Sequence, residues 1–458
     1  MNRSDTLDVA HYLPGLRFGR YHLRILILCS LVTFFDGQDF SALAYALPYI
    51  RDDMRISDEM TGYVSSAAFL GQMIGSLLGS YMSDIVGRRP VIVVCTIGSA
   101  ILTFGVGFAS SPEQLVALRF ISGLGIGGLL APVWALSIES MPRRIRATSV
   151  TIIMMGFSVG TASAGPIANW VAPTLGWEGI FWVCGIMTGL FALILFLMLP
   201  ESTRWAVATD KPPGKIVAML APFNPAFVVD RYAKFALLGE TEVSGSTNPL
   251  HKLRELFAGP LKLVTPLIWG AYFCSSFAIY LMSAYAVIFM EHLGIARQSA
   301  AWLASSGAIM GALGGIALLA ATERRGPGWI AVAPVMGVPL VLLIGTGVAI
   351  ATPYFVPVLL LVAVTIGTGH AAVISVTSIY YPSIVRATGG GWASFVAKFA
   401  AVAAPIFGFR FLAGRNGAMA GYAFTAVCLL GLAACVLALA YFARALRADR
   451  DEPAARAQ

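Results

Sequence analysis

Apolar runs long enough to cross a lipid bilayer recur along almost the whole of this chain, and no other feature restricts its fold as much. A hydrocarbon core about 30 Å thick takes roughly 20 helical residues. Runs of that size lie at about 25–47, 61–83, 90–109, 114–139, 148–172 and 178–199, then at 263–290, 298–320, 329–350, 355–379, 389–411 and 419–442. One long polar stretch, 200–262, separates the two sets. Residues of the AVILMFWYC set make up 58% of the chain and charged residues only 12%, against roughly 25% charged in soluble domains. A chain so poor in charge needs lipid as its solvent, which excludes disordered, collagen-like and coiled-coil classes. The expected class is an all-α integral membrane protein with twelve transmembrane helices. Its parts are an N-terminal segment 1–24, a six-helix half 25–199, a central loop 200–262, a second six-helix half 263–442 and a tail 443–458.

The net charge of +8 suggests a nucleic-acid partner only until the basic residues are mapped. They fall between the apolar runs and form no single patch. With both termini and the central loop assigned to the cytoplasm, 24 of the 31 basic residues lie inside. Five (Arg51, Arg55, Arg297, Arg410, Arg415) lie outside and two lie within runs. Cytoplasmic enrichment in Lys and Arg sets orientation, so both termini are expected inside. The six cysteines form no C-x-x-C pair, which points to neither a disulfide framework nor a zinc site. A cleavable signal peptide is not expected, because the first apolar run is long and interrupted by acids. Neither a nucleophile–base pair nor metal-ligand spacing is evident, so an enzyme is not expected.

The two halves repeat. Pro142-Arg143-Arg144-Ile145-Arg146-Ala147-Thr148 follows the fourth run, and Pro382-Ser383-Ile384-Val385-Arg386-Ala387-Thr388 follows the tenth, 240 residues later. Two parallel six-helix halves related by an axis along the membrane normal are the architecture of major facilitator transporters.

Ionisable residues inside the apolar runs are costly and mark function by default. Asp36 and Asp39 stand roughly 17–21 Å from the cytoplasmic end of the first run, at i, i+3 spacing on one helical face. Two neighbouring acids in a low dielectric cannot both ionise cheaply, so the pair suits proton coupling; the alternative is a structural pair held by hydroxyls. Arg119, roughly 8 Å from the outer end of the fourth run, needs a carboxylate partner, and Asp36 or Asp39 could supply it. Otherwise it snorkels to the interface. Lys398 lies at similar depth in the eleventh run. It reads as a receptor for an anionic head group or as the partner of an aspartate. His370 suits a proton relay, a hydrogen bond to substrate, or a structural role. Among the aromatics of the seventh run, Trp269, Tyr272, Phe273, Phe277, Tyr280 and Tyr285, Tyr280 and Phe277 are cavity candidates. Phe35 and Trp134 offer further ring contacts.

The loop Gly79-Ser80-Tyr81-Met82-Ser83-Asp84-Ile85-Val86-Gly87-Arg88-Arg89-Pro90 resembles the major facilitator signature. That resemblance implies a cytoplasmic charge latch of Asp84, Gly87, Arg88 and Arg89, which the repeated span ends extend to Glu139, Arg146 and Arg386. Ser80 and Ile85 depart from the usual glycine and basic residue, and the second-half counterpart is reduced to Glu323-Arg324-Arg325-Gly326-Pro327. Within the superfamily the chain is similar to aromatic acid:proton symporters. The motifs are Asp36-Gly37-Gln38-Asp39, Arg119 to Gly128, Glu139-Ser140-Met141-Pro142, Pro200-Glu201-Ser202-x-Arg204, and the stretch from Tyr381 to Ala393. The resemblance implies proton-coupled import of a benzoate, hydroxybenzoate or protocatechuate-like acid across a bacterial inner membrane by a monomer, with no cofactor beyond the coupling proton. Lys398 stands where that family commonly has arginine, and Glu178 where a base is frequent. A carrier of an aliphatic carboxylate, a sugar or a drug is the rival reading.

Overall fold

The computed structural model describes residues 6–223, 234–237, 253–259, 261–381 and 383–455. Pro382 and the side chains of Ser383 to Ala387, the latch candidate Arg386 among them, lie outside the described residues. Helices dominate. In the N-terminal part they are α1 (Val9–Gly15), α2 (Arg20–Met54), α3 (Asp58–Val86), α4 (Arg88–Val106), α5 (Pro112–Gly127), α6 (Leu130–Ser140), α7 (Arg146–Met198), α8 (Thr203–Ala208) and α9 (Pro213–Leu220). The C-terminal part holds α10 (Leu261–His292), α11 (Arg297–Arg325), α12 (Val332–Gly345), α13 (Phe355–Val373), α14 (Val376–Tyr380), α15 (Ser383–Gly408) and α16 (Gly414–Ala455).

Among the described residues, ten helices are long and apolar enough to cross a membrane, with α5 and α6 forming one crossing. Two further crossings escape a criterion of length and composition. The 51-residue apolar stretch Thr148–Met198 breaks at Gly176, whose φ of 68° and ψ of −170° no helix tolerates. Each side of that break is long enough to span. The 29-residue α3 is also of spanning length, but Ser, Gly, Gln and Thr dilute its apolar face. The order is therefore that of twelve crossings.

The internal repeat is written in the backbone more clearly than in the side chains. Gly87 and Gly326, the residues between α3 and α4 and after α11, adopt φ 111°, ψ 161° and φ 99°, ψ 164°. Gly176 and Gly414 sit at φ 68° and 66°, and Arg55 and Gly294 at φ 50° and 94°. The paired positions are 239, 238 and 239 residues apart. Positive φ is readily reached by glycine and costs a residue with a side chain about 1–2 kcal/mol. The turn geometry of each half is thus preserved even where Arg55 must bear that cost.

By contacts the chain divides into two units. The first comprises residues 1–42, 70–164 and 171–245, and the second 43–69, 165–170 and 246–458. The last turns of α2, the first turns of α3 and six residues of α7 thus pack with the C-terminal helices. This boundary differs from that of the sequence repeat, because polar ties hold those segments there. Arg297 meets Asp52 at 2.9 Å and Glu291, its guanidinium lies 4.4 Å from the Tyr49 ring centroid, and the Tyr45 and Ser305 hydroxyls are 3.1 Å apart.

Among the described residues the all-α expectation has one small exception. Thr6–Asp8 (β1) pairs in parallel with Lys234–Ala236 (β2), which joins the N-terminal segment to the central loop. Both strands belong to a small polar-region layer whose core is Leu7, Val9, Leu13, Trp205, Ile216 and Leu220. Burying these side chains offsets the ordering of segments too short to be stable alone. The N-terminal segment and the start of the central loop are therefore structured parts of the first unit.

Candidate functional site

Two close backbone approaches set the positions of the buried charges in the first unit. A methyl group at Gly37 would overlap the carbonyl of Phe157, and one at Gly160 would overlap the carbonyl of Phe34. The glycine between Asp36 and Asp39 therefore lets α7 cross α2 backbone to backbone at the turn that carries both acids. Gly75 and Gly79 of α3 meet Leu124 and Gly128 in the same way. The glycines after Arg119 are thus helix-packing residues that fix α5 and its arginine against α3.

Arg119 is 1% exposed, and Asp36 and Asp39 are 4% exposed each. The arginine pairs with Asp39, Nη1 to Oδ2 at 3.5 Å, and its guanidinium lies 5.9 Å from the Phe181 ring centroid. Asp39 Oδ1 accepts the Thr103 hydroxyl at 2.5 Å. The sequence left Asp36 and Asp39 as equal candidates for this arginine; in the structure the ion pair is with Asp39. Arg119 Nε has no hydrogen-bond partner among the described residues.

Phe35 stacks on Phe191 at 4.9 Å between ring centroids, and Trp134 on α6 is 36% exposed. The seventh-run aromatics divide by what their atoms touch. Tyr272 donates its hydroxyl to the Ile374 carbonyl at 3.0 Å, and Tyr285 donates to the Pro405 carbonyl at 2.8 Å. Both acceptors lie at helix C-termini, where the last carbonyls lack partners within the helix. These two tyrosines hold the fold together. Phe277 is 6% exposed and packs on Phe273, Phe407 and Phe424.

Tyr280 is placed otherwise. Its ring sits edge-on to Phe69 at 5.0 Å and to His370 at 6.2 Å. His370 Nδ1 lies 3.0 Å from the Ser275 hydroxyl. Small residues bring α13, which carries His370, against α11: Gly311 faces Gly367, and Gly315 faces Ala371. Lys398 is half-buried on α15. Lys398, His370, Tyr280 and Phe277 belong to the second unit, and Asp36, Asp39, Arg119, Phe35 and Trp134 to the first.

The latch candidates of the first half cluster around Glu201, a residue that the sequence placed only within a motif. Arg88 bridges Asp84 at 3.1 Å and Glu139 at 3.0 Å, and donates to the Ser83 carbonyl at 2.9 Å. Glu201 Oε1 accepts the backbone N–H groups of Arg88 (2.9 Å), Arg89 (3.1 Å) and Ser202 (2.8 Å). A carboxylate there satisfies N–H groups that the first turn of α4 leaves open and complements the positive end of its dipole. Ser202 donates to Glu139, and Trp205 donates its indole N–H to the Asp84 carbonyl at 2.9 Å. Gly87 is required twice over, by its positive φ and because a methyl group would overlap the Glu201 carboxylate. Arg89 donates to the Phe196 carbonyl at 2.7 Å, and Arg146 Nε to the Met141 carbonyl at 3.2 Å, so these two tie backbones and not acids. Burial, with Arg204 and Arg143 nearby, pushes the Arg146 guanidinium below its usual pKa. In the second half, Arg325 at the end of α11 lies 4.4 Å from the Trp329 ring centroid.

The sequence profile described as Major Facilitator Superfamily matches residues 29–405. The chain belongs to the Major Facilitator Superfamily. It is a multi-pass membrane transporter by family and not an enzyme. It is 28% identical to the 4-hydroxybenzoate transporter PcaK of Pseudomonas putida, over 87% of this chain and 88% of that protein. It is equally identical, at 28%, to a gallate transporter of Pseudomonas putida, over 98% and 97% of the two chains. The inward-facing, unoccupied structure of a bacterial homologue of the human lysosomal transporter Spinster superposes with a TM-score of 0.69 at 17% identity. That match covers 93% of this chain and 97% of that one, and it speaks for the fold alone.

Proposed function

We propose that this transporter imports an aromatic carboxylate together with a proton by alternating access, as a monomer in the bacterial inner membrane with both termini cytoplasmic. The observation that carries the proton coupling is the Asp39–Arg119 pair, closed off from solvent beside Asp36 in the helix sequence. A carboxylate that gains a proton releases its grip on a permanent cation, and a buried cation so released must find another anion. Protonation therefore changes which arrangement of the helices is stable. Lys398 is the proposed partner of the substrate carboxylate, as a point charge where a guanidinium would grip in bidentate fashion. Similarity over nearly the full chain to transporters named for 4-hydroxybenzoate and gallate supports the aromatic substrate class.

The energetics favour a coupled proton. An anion entering a negative-inside cell works against about 2.3 kcal/mol per 100 mV. One proton cancels that charge, and the pH gradient then drives accumulation. The test is uptake of labelled benzoate, 4-hydroxybenzoate and muconate into proteoliposomes, with and without an imposed pH gradient. Wild-type protein is expected to concentrate an aromatic acid only with the gradient. The Asp36→Asn and Asp39→Asn proteins are expected to reach the membrane and not to concentrate it. Uphill uptake by both variants would remove the coupling role, and uptake of muconate alone would favour an aliphatic dicarboxylate.

A further inference from the structure

The Ser275–His370 contact is one of the few in this fold in which a serine or threonine hydroxyl reaches a side chain on another helix, as Thr103 does with Asp39. Serines and threonines within these helices mostly return their hydroxyl hydrogen to a carbonyl one turn back. Ser30, Ser65, Thr96, Thr188 and Thr425 all do so, at 2.7–2.9 Å. This satisfies the hydroxyl locally and leaves nothing to specify a partner. Ser275 is 2% exposed, yet its hydroxyl is directed across to His370 Nδ1 on another helix. Its hydrogen bond fixes one edge of the imidazole, and among the described residues Nε2 is the nitrogen left over, whichever tautomer the ring adopts. Tyr280 stands edge-on to the same imidazole, and Phe69 packs on the Tyr280 ring. The group therefore lies among α3, α10 and α13, with aromatic edges beside one oriented polar atom.

Such a construction suits a flat apolar ring bearing one neutral hydrogen-bonding substituent. A carboxylate would call for a full positive charge or several donors. A phenolic hydroxyl is both donor and acceptor, so it can meet Nε2 in either tautomer. We infer that Ser275, His370 and Tyr280 form the subsite that reads a ring hydroxyl, so that the substrate is a hydroxylated and not an unsubstituted aromatic acid. This rests on the aromatic-carboxylate reading above and adds to it a specificity-determining residue, His370, with Ser275 as the residue that positions it.

The test uses the intact transporter in proteoliposomes, with labelled 4-hydroxybenzoate and labelled benzoate as probes and the ratio of their kcat/KM values as the readout. Wild-type protein is expected to prefer 4-hydroxybenzoate by about tenfold or more, the scale of one neutral hydrogen bond plus the cost of leaving its partner unmet. His370→Asn, whose amide reaches only the Nδ1 position, should bring the ratio near one. His370→Gln, whose amide nitrogen reaches the Nε2 position, should restore most of the preference. Ser275→Ala should reduce it in part, by freeing the ring. A wild-type ratio near one with benzoate still transported would overturn the subsite and leave the aromatic-acid reading standing. Variants that lose both probes equally, or Asn and Gln variants that behave alike, would make His370 structural and overturn it as well. Transport of neither probe by wild-type protein would instead sink the parent reading, and the subsite with it. Ser275→Ala is a single-atom deletion and provides the measurement should the His370 variants fail to assemble.

Discussion

Removing either member of the Asp39–Arg119 pair should cost far more than removing both. At 3.5 Å, and with an effective dielectric constant of about 20, two unit charges attract by about 5 kcal/mol. That attraction is set against the cost of keeping both groups out of water. Asp39→Leu leaves a guanidinium that is 1% exposed without a counter-ion, and Arg119→Leu leaves a carboxylate in the same position. Each single change is expected to destabilise the folded transporter by about 3–5 kcal/mol, the scale of a broken buried pair. The double variant places two apolar side chains where charges were, and is expected to lie within about 2 kcal/mol of wild type. The coupling energy should therefore be about 3 kcal/mol or more. It can be read from a double-mutant cycle on unfolding in mixed micelles, followed by tryptophan fluorescence. Additivity within about 0.5 kcal/mol would refute the reasoning, because non-interacting sites behave that way. The cycle also separates stability from coupling, since the double variant should be folded and still unable to concentrate substrate.

Three other positions give sharp expectations. Glu201→Gln keeps the acceptor oxygen on the α4 backbone and loses its charge, which should lower stability by about 1 kcal/mol; Gly87→Ala should cost more, because it adds strain and overlaps that carboxylate, and thermal midpoints in detergent will rank the two. Arg55→Gly should raise the midpoint by the equivalent of about 1 kcal/mol, since Arg55 holds a φ of 50° where the repeat has glycine; no gain would mean that the arginine side chain repays the strain. Arg297→Ala breaks the ties to Asp52 and Glu291; these are partly exposed, so about 1 kcal/mol is at stake. In the alternating-access reading that shift raises labelling of a Ser305→Cys variant by an impermeant maleimide about fivefold, and unchanged labelling would discard the tie as a gate.

Much of this architecture was legible because lipid imposes a blunt requirement on composition. The run 61–83 is read as a crossing from its length and apolar residues, although its serines and glycines dilute the hydropathy of α3. The break at Gly176 falls between the runs 148–172 and 178–199 for the same reason. The need of Arg119 for an acid could be argued from its charge and depth alone, but the choice of Asp39 rests on side-chain geometry across α2 and α5. Glu201 was visible only as part of a motif, because it acts on backbone N–H groups more than a hundred residues earlier in the chain. The pairing of β1 with β2 was not visible at all. Strands of three residues carry no usable alternation, and contact with a segment so distant leaves no local trace. The anchoring roles of Tyr272 and Tyr285 were not visible among the aromatics of the seventh run, because sequence cannot show which helix end lacks a hydrogen-bond donor.

That short parallel pairing has a consequence for biogenesis. Thr6–Asp8 emerges from the ribosome before its mate at Lys234–Ala236, which follows about 230 residues later. β1 must wait, unmatched, until the six intervening crossings have been threaded into the bilayer, and only then can it be fastened down. A bulky fusion joined directly to residue 1 would burden that late fastening step, whereas the same fusion at residue 458 would leave it alone.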